Sequence, residues 1–230
     1  TGPTGTFGVV GTTGQTIYHN GIDWINTSNL SNDGTTVSTT TDALINGITV
    51  GLGAGTGAGN TAIGLDALSS NTTGYYNTAN GFWALYSNTT GYYNTANGPG
   101  ALYSNTTGDR NTATGFQTLY SNTTGYQNTA NGRDALFYNI SGGSNTANGF
   151  WALYSNTTGN GNTATGKGAL YSNTTGSNNT AIGYNAQVPS ATGDNQVRIG
   201  NTDVTYAGVQ VAWTYTSDKR WKSDIQSSEL

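Results

Sequence analysis

Cysteine is absent from the 230 residues, and histidine occurs once, at His19. Disulfides, thiolate metal sites and a multi-histidine metal centre are therefore excluded. No metal or cofactor is expected, and His19 reads as a structural or exposed residue. Charge is equally scarce. Charged residues make up 8% of the chain, against about 25% in an ordinary globular protein. A formal net charge of −4 with seven Lys and Arg leaves no electrostatic footprint for nucleic acid. No run approaches the ~20 apolar residues of a membrane span, so no membrane insertion is expected. Helix formers are few. Gly numbers 35, Thr 42 and Asn 29, and all three are poor in helix interiors. A helical bundle is excluded. With aromatics at 11%, disorder through charge repulsion is disfavoured as well. The chain opens at Thr1 with neither Met nor a signal pattern. It reads as a fragment or processed product, with any targeting segment outside it.

What is present is a period. Asn60, Asn77, Asn94, Asn111, Asn128, Asn145, Asn162 and Asn179 fall 17 residues apart, and each opens Asn-Thr-Ala-x-Gly. The unit reads N-T-A-x-G-x-x-A-L-x-x-N-T-T-G-x-x, as in 77–93 and 162–178. Seven copies are complete. The eighth decays at Gln187 and Pro189. A short fixed period without insertions signals a solenoid, each unit stacked on the next. Seventeen residues suit one β-coil of two short strands and two turns. Thr-Ala and Ala-Leu are expected as the extended pieces. Asn-Gly, at Asn80-Gly81, Asn97-Gly98, Asn131-Gly132 and Asn148-Gly149, supplies residues tolerant of positive φ for one turn. Asn-Thr-Thr-Gly, as at 71–74, makes the other. Ala62 and its equivalents, with Leu68, Leu85, Leu102, Leu119, Leu136, Leu153 and Leu170, form the expected inward column.

Stacking at about 4.8 Å per coil aligns identical residues and makes eight coils roughly 38 Å long. An aromatic ladder follows at Tyr86, Tyr103, Tyr120, Phe137, Tyr154 and Tyr171, beside Asn and Thr ladders from Asn60 and Thr61 onward. Two Ala, one Leu and one Tyr per coil do not offset a backbone entropy of about 1–2 kcal/mol per residue. Further burial between chains, and hence an oligomer, is expected.

The flanks specify it. Gly2, Gly5, Gly8, Gly11 and Gly14 give a Gly-X-Y register, the pattern that packs three chains about a crowded axis. The expected organisation is a collagen-like segment (1–16), a small β connector (17–58), the 17-residue-repeat solenoid (59–192), a β neck (193–216) and a charged C-terminal piece (217–230). Ile22, Trp24, Ile45, Ile48 and Val50 are expected core of the connector. Val197/Ile199 and Val209/Val211/Trp213 alternate as neck strands. The fold class is all-β: a homotrimeric parallel β-solenoid behind a collagen-like end.

The NTAxG units resemble the head repeats of trimeric autotransporter adhesins. The tail WTYTSDKRWKSDI closely resembles the entry to the intramolecular chaperone of endosialidase-type tail spikes and tail fibres. Gly-X-Y, the small β region, the NTAxG repeats and VRIGN…SDKRWK together are similar to phage tail-fibre proteins and related bacterial surface proteins. The resemblance implies a homotrimeric fibre segment located on the virion. A bacterial surface adhesin or extracellular filament is the alternative. It further implies a chaperone that trimerises the fibre and then cuts itself off, with Ser217 as the attacking hydroxyl and Lys222 as the base. The chain stops at Leu230, before any chaperone body. No other enzymatic activity is expected. Asp66, Asp109 and Asp134 read as scattered over different coils and different positions in the unit, and suggest no paired-carboxylate hydrolase.

Large aromatics at the variable positions are candidates for contact with a host-surface glycan or receptor, or for packing across the trimer. They are Tyr75, Tyr76, Phe82, Trp83, Tyr92, Tyr93, Phe116, Phe150 and Trp151. The sequons at Asn71, Asn88, Asn105, Asn122, Asn139, Asn156 and Asn173 read as turn chemistry rather than glycan acceptors. A Thr ladder such as Thr72, Thr89, Thr106 and Thr123 raises an ice-binding alternative. Asn before Thr places those residues in a turn rather than on a flat strand, which argues against it.

Overall fold

The computed structural model describes residues 16–19, 24–27, 30–32, 37–39, 43–45 and 48–204, with side chains from Val50 onward. The Gly-X-Y segment (1–16) apart from Thr16, together with Ile22, the strand expected around Trp213, Ser217 and Lys222, lies outside the described residues. So do the side chains of Trp24, Ile45 and Ile48. All described secondary structure is β. Strands β1 (Thr16–His19) and β2 (Trp24–Thr27) pair antiparallel, as do β3 (Leu30–Asn32) and β4 (Val37–Thr39). The remaining eleven strands form one sheet in strict sequence order. β5 (Ala43–Ile45) and β6 (Ile48–Gly51) are its hairpin edge.

The repeats are a parallel β-solenoid. Each coil contributes one three-residue strand, Thr-Ala-x. These are β7 (Thr61–Ile63), β8 (Thr78–Asn80), β9 (Thr95–Asn97), β10 (Thr112–Thr114), β11 (Thr129–Asn131), β12 (Thr146–Asn148), β13 (Thr163–Thr165) and β14 (Thr180–Ile182). Like pairs with like, Ala79 with Ala96 and Ala96 with Ala113. β15 (Val197–Ile199) continues the parallel register on β14. Strand alternation turns each Ala inward, fully buried, and the flanking Thr and x outward.

The second strand expected at Ala-Leu is a turn instead. The leucines are indeed a buried column, but Leu68, Leu85, Leu102, Leu119, Leu136, Leu153 and Leu170 adopt the left-handed conformation, with φ between 50 and 54°. That conformation costs a non-glycine residue about 1–2 kcal/mol. Burying the leucine contributes about 1.5–3 kcal/mol in return. A rung also holds the turn: the Leu85 N–H donates to the Ala101 carbonyl of the next coil at 3.0 Å. At Asn-Gly only the glycine takes positive φ (Gly81 at 139°). Its N–H donates back to the preceding coil, Gly81 to Ile63 and Gly98 to Asn80, each at 2.8 Å. The glycine of Asn-Thr-Thr-Gly serves space rather than φ. A Cβ on Gly91 would collide with Asn88 Oδ1 and the Gly108 carbonyl.

Two buried asparagine columns complete the core. Asn105 Nδ2 donates to Asn88 Oδ1 at 2.8 Å and to the Gly108 carbonyl at 3.0 Å, while its Oδ1 accepts from Asn122 Nδ2 at 2.8 Å. The same pattern runs from Asn71 to Asn173. The column starting at Asn60 is built alike: the Asn94 N–H donates to Asn77 Oδ1 and Asn94 Nδ2 to the Gly108 carbonyl. Polar groups can sit in this core because each finds its partner one coil away. The same amides are those of the sequons, and the fold uses them inside the core rather than at its surface. Each sequon Asn is at most 2% exposed, with Nδ2 already committed to protein oxygens.

The ends are closed differently. β6 pairs antiparallel with β7, Val50 opposite Ile63, and covers the first edge. Val50, expected as core, is 37% exposed, because the register places it opposite Ile63 on the outward face, while Gly51 is the residue opposite the inward Ala62. At the other end Arg198 takes the place of the inward Ala, in register with Ala181. It donates through Nε to the Gly200 carbonyl at 3.0 Å.

Candidate ligand-binding surface

Numbering each unit from its first Asn, the side chains that leave the solenoid do so at positions 2 and 4 on the strand, 6 and 7 at one corner, 10 and 11 on the next face, 13 and 14, and 16 and 17. All charged residues between 60 and 193 fall on two of these corners. Arg133 and Lys167 occupy position 6, Asp66 and Asp134 position 7, Asp109 position 16 and Arg110 position 17. The remaining faces are uncharged.

The candidate aromatics separate into groups on the same two corners. At 16 and 17, Tyr75 stacks on Tyr92 (5.1 Å, 5°) and Tyr76 on Tyr93 (5.2 Å, 20°), with edge contacts between the stacks. Arg110 closes this grid, 5.2 Å from the Tyr92 centroid and 5.9 Å from Tyr93, and pairs with Asp109. A hydrogen bond with the Tyr92 phenol, and then Asp109, hold its guanidinium above its ordinary pKa.

At 6 and 7, Phe82 stacks on Trp83 at 4.1 Å, and Trp83 leans on Tyr103 at 5.7 Å. Trp83 Nε1 donates to Asp66 Oδ2 of the coil before at 3.2 Å. Four coils on, the cluster recurs. Residues 145–159 repeat 77–91 without a change. Phe150 lies 4.2 Å from Trp151, Trp151 leans on Tyr171 at 5.9 Å, and Trp151 Nε1 donates to Asp134 Oδ2 at 3.2 Å. Asp66 and Asp134, scattered by coil, thus share one position and one task. Phe116 stands apart from both clusters, on the position-6 column.

That column carries an arrangement the period alone did not reveal. Arg133 lies over Phe116 at 5.5 Å and Phe150 at 5.7 Å, and Lys167 over Phe150 at 5.7 Å and Tyr184 at 5.6 Å. Aromatic and cation alternate over five coils, each cation stacked between rings. Reading position 6 down the units, L-F-P-F-R-F-K-Y, is the signal that finds it.

The ladder at position 10 is continuous, with ring centroids 4.8–5.5 Å apart from Tyr86 to Tyr171. Burial raises the pKa of Tyr120, helped by Tyr103. Burial also raises that of Tyr154, helped by a hydrogen bond with Tyr138. A cavity of about 480 Å³ at the C-terminal end is lined by Tyr184, Gln187, Arg198 and Asp203 among others. Among the described residues there is no cluster of metal-ligating side chains, and no helix is long and apolar enough to cross a membrane. The chain matches no protein-family model, no curated protein and no solved structure in the three comparisons made.

Proposed function

We propose that this chain is a structural segment of a homotrimeric fibre of the phage tail-fibre type, a stiff, protease-resistant spacer carried on the virion. A β-solenoid is compatible with such a role or with that of an adhesin. The reading rests above all on the uninterrupted ladder. Eight coils follow one another without an insertion, and their backbone donors are spent on neighbouring coils. Such a body lengthens into a rod and resists local opening. The head-repeat resemblance of the NTAxG units supports the second reading, a bacterial trimeric surface adhesin or extracellular filament. Three chains would share the burial that one thin core leaves wanting, with the Gly-X-Y segment setting the number. In this scheme Ser217 and Lys222, outside the described residues, release the C-terminal chaperone. Equilibrium sedimentation of residues 1–216 tests the assembly. A mass near three chains is expected, and a mass near one chain would sink the fibre reading.

A further inference from the structure

The two Phe-Trp corners are the same cluster in different electrostatic settings. Around Phe82 and Trp83, position 6 carries Leu65 and Pro99, and the nearby Asp66 is exposed. Around Phe150 and Trp151, position 6 carries Arg133 and Lys167. Asp134 is only 7% exposed and accepts from both Trp151 Nε1 and Arg133 Nε (3.1 Å), so the carboxylate is largely covered while the guanidinium faces outward. Lys167 has no carboxylate partner among the described residues.

Each cation is held between two rings, which fixes long, flexible side chains before any ligand arrives and lowers the cost of ordering them. They sit two coils apart, roughly 10 Å by strand spacing, with Trp151, 38% exposed, beside them. The part of the Trp151 indole left open by Phe150, Tyr154 and Tyr171, flanked by two preorganised cations, matches a ligand with an apolar ring face and repeated carboxylates. The C–H face of a pyranose lies on the indole, and its carboxylates meet the guanidinium and the ammonium. A second copy with this column on a shared symmetry axis would set Arg133 and Lys167 against their own equivalents at equal height, which disfavours that arrangement, whereas contact with a different face of a neighbouring chain is separated by the assembly measurement on Trp151→Leu below.

We propose that Arg133, Trp151 and Lys167 form a binding site for an acidic polysaccharide, a polymer of uronic-acid type. The copy at Trp83, without cations, is not such a site. The inference leans on the fibre reading only for where the polymer is met; binding itself is independent of it.

Polygalacturonate and hyaluronate, with dextran as the neutral control, are titrated into the full chain and followed by calorimetry. The wild-type chain is expected to bind the polyuronates and not dextran. Arg133→Gln and Lys167→Gln should each weaken binding about tenfold, the loss of one charge-assisted contact. Trp151→Leu should weaken it comparably, also at physiological salt, whereas Trp83→Leu leaves it unchanged. Circular dichroism and sedimentation on every variant separate binding from folding. Absent polyuronate binding, equal binding of dextran, or equal losses at Trp83 and Trp151 would overturn the site. Intact binding in the Gln variants would leave the cations as inter-coil struts only, and loss of assembly in Trp151→Leu would assign the corner to contacts between chains. A monomeric chain that still binds polyuronate would refute the fibre reading and leave this site standing.

Discussion

Replacing Asn105 by Ala removes one rung from a buried amide column, and the structure fixes what that leaves behind. Asn88 Oδ1 loses its donor from Asn105, and one proton of Asn122 Nδ2 loses its acceptor. The Gly108 carbonyl is not orphaned, because Asn94 Nδ2 still donates to it at 2.8 Å. Two groups are therefore stranded in a site with no exposure. At about 1–3 kcal/mol for each buried unsatisfied group, the cost is roughly 2–6 kcal/mol per chain. For a chain of this size about 2–4 °C of melting temperature accompanies each kcal/mol, so a fall of about 4–24 °C is expected. Asn80→Ala, on the exposed face of β8, is the control and should stay within about 0.5 kcal/mol. Asn105→Asp adds a pH arm. A buried carboxyl facing two carbonyl-type oxygens has its pKa raised, so this variant should be least stable at neutral and high pH and partly recover on acidification. Melting of the three variants by circular dichroism decides the matter. If Asn105→Ala melted with Asn80→Ala, the amide column would be a by-product of the coil rather than part of what holds it.

Three further outcomes follow from other features. Leu102→Met keeps volume without branching and should cost under about 1.5 kcal/mol; Leu102→Ile puts a β-branched residue at φ 53° and should cost clearly more, and equal melting temperatures would deny the left-handed turn its role. Because folding raises the Tyr120 and Tyr154 pKa values, their contribution is present below the ordinary tyrosine pKa of about 10 and is lost as pH rises through the raised values. Spectroscopic titration of tyrosinate should show late-titrating groups and falling stability above that pH; stability unchanged at alkaline pH would refute it. In a full-length product carrying the chaperone, Ser217→Ala or Lys222→Ala should leave it attached while the chains still assemble; gel analysis in which the variants still separate would return both residues to the linker.

The period, the parallel stacking, the inward Ala and Leu columns and the aromatic ladder were all legible in the sequence, because a solenoid converts sequence spacing directly into spatial neighbours. Backbone conformation was not. Propensity speaks against leucine in a left-handed turn, and here tertiary burial and a rung to the next coil override it. The asparagines of Asn-Thr-Thr-Gly looked like turn residues because, read along one unit, that is all they do; their Nδ2-to-Oδ1 chain exists only between units. The cation column was hidden for the same reason. Arg133 and Lys167 are 34 residues apart in sequence and become one arrangement only when units are read across rather than along.

The rung from each Asn-Gly glycine also bears on how the protein ages. Asn-Gly is the dipeptide in which the glycine nitrogen most readily attacks the preceding side-chain amide, closing a succinimide and releasing ammonia. At Gly81, Gly98, Gly132 and Gly149 that nitrogen is already engaged, donating at 2.8 Å to Ile63, Asn80, Thr114 and Asn131. Asn160-Gly161 is held likewise, with the Gly161 N–H on the Gly143 carbonyl at 3.0 Å. Ring closure at any of them would first have to break a rung of the ladder, and at Asn80, Asn97, Asn131 and Asn148 would also turn a strand residue out of register. The hydrogen bond that stacks one coil on the next therefore also suppresses deamidation at these five dipeptides of the solenoid for as long as it stays folded.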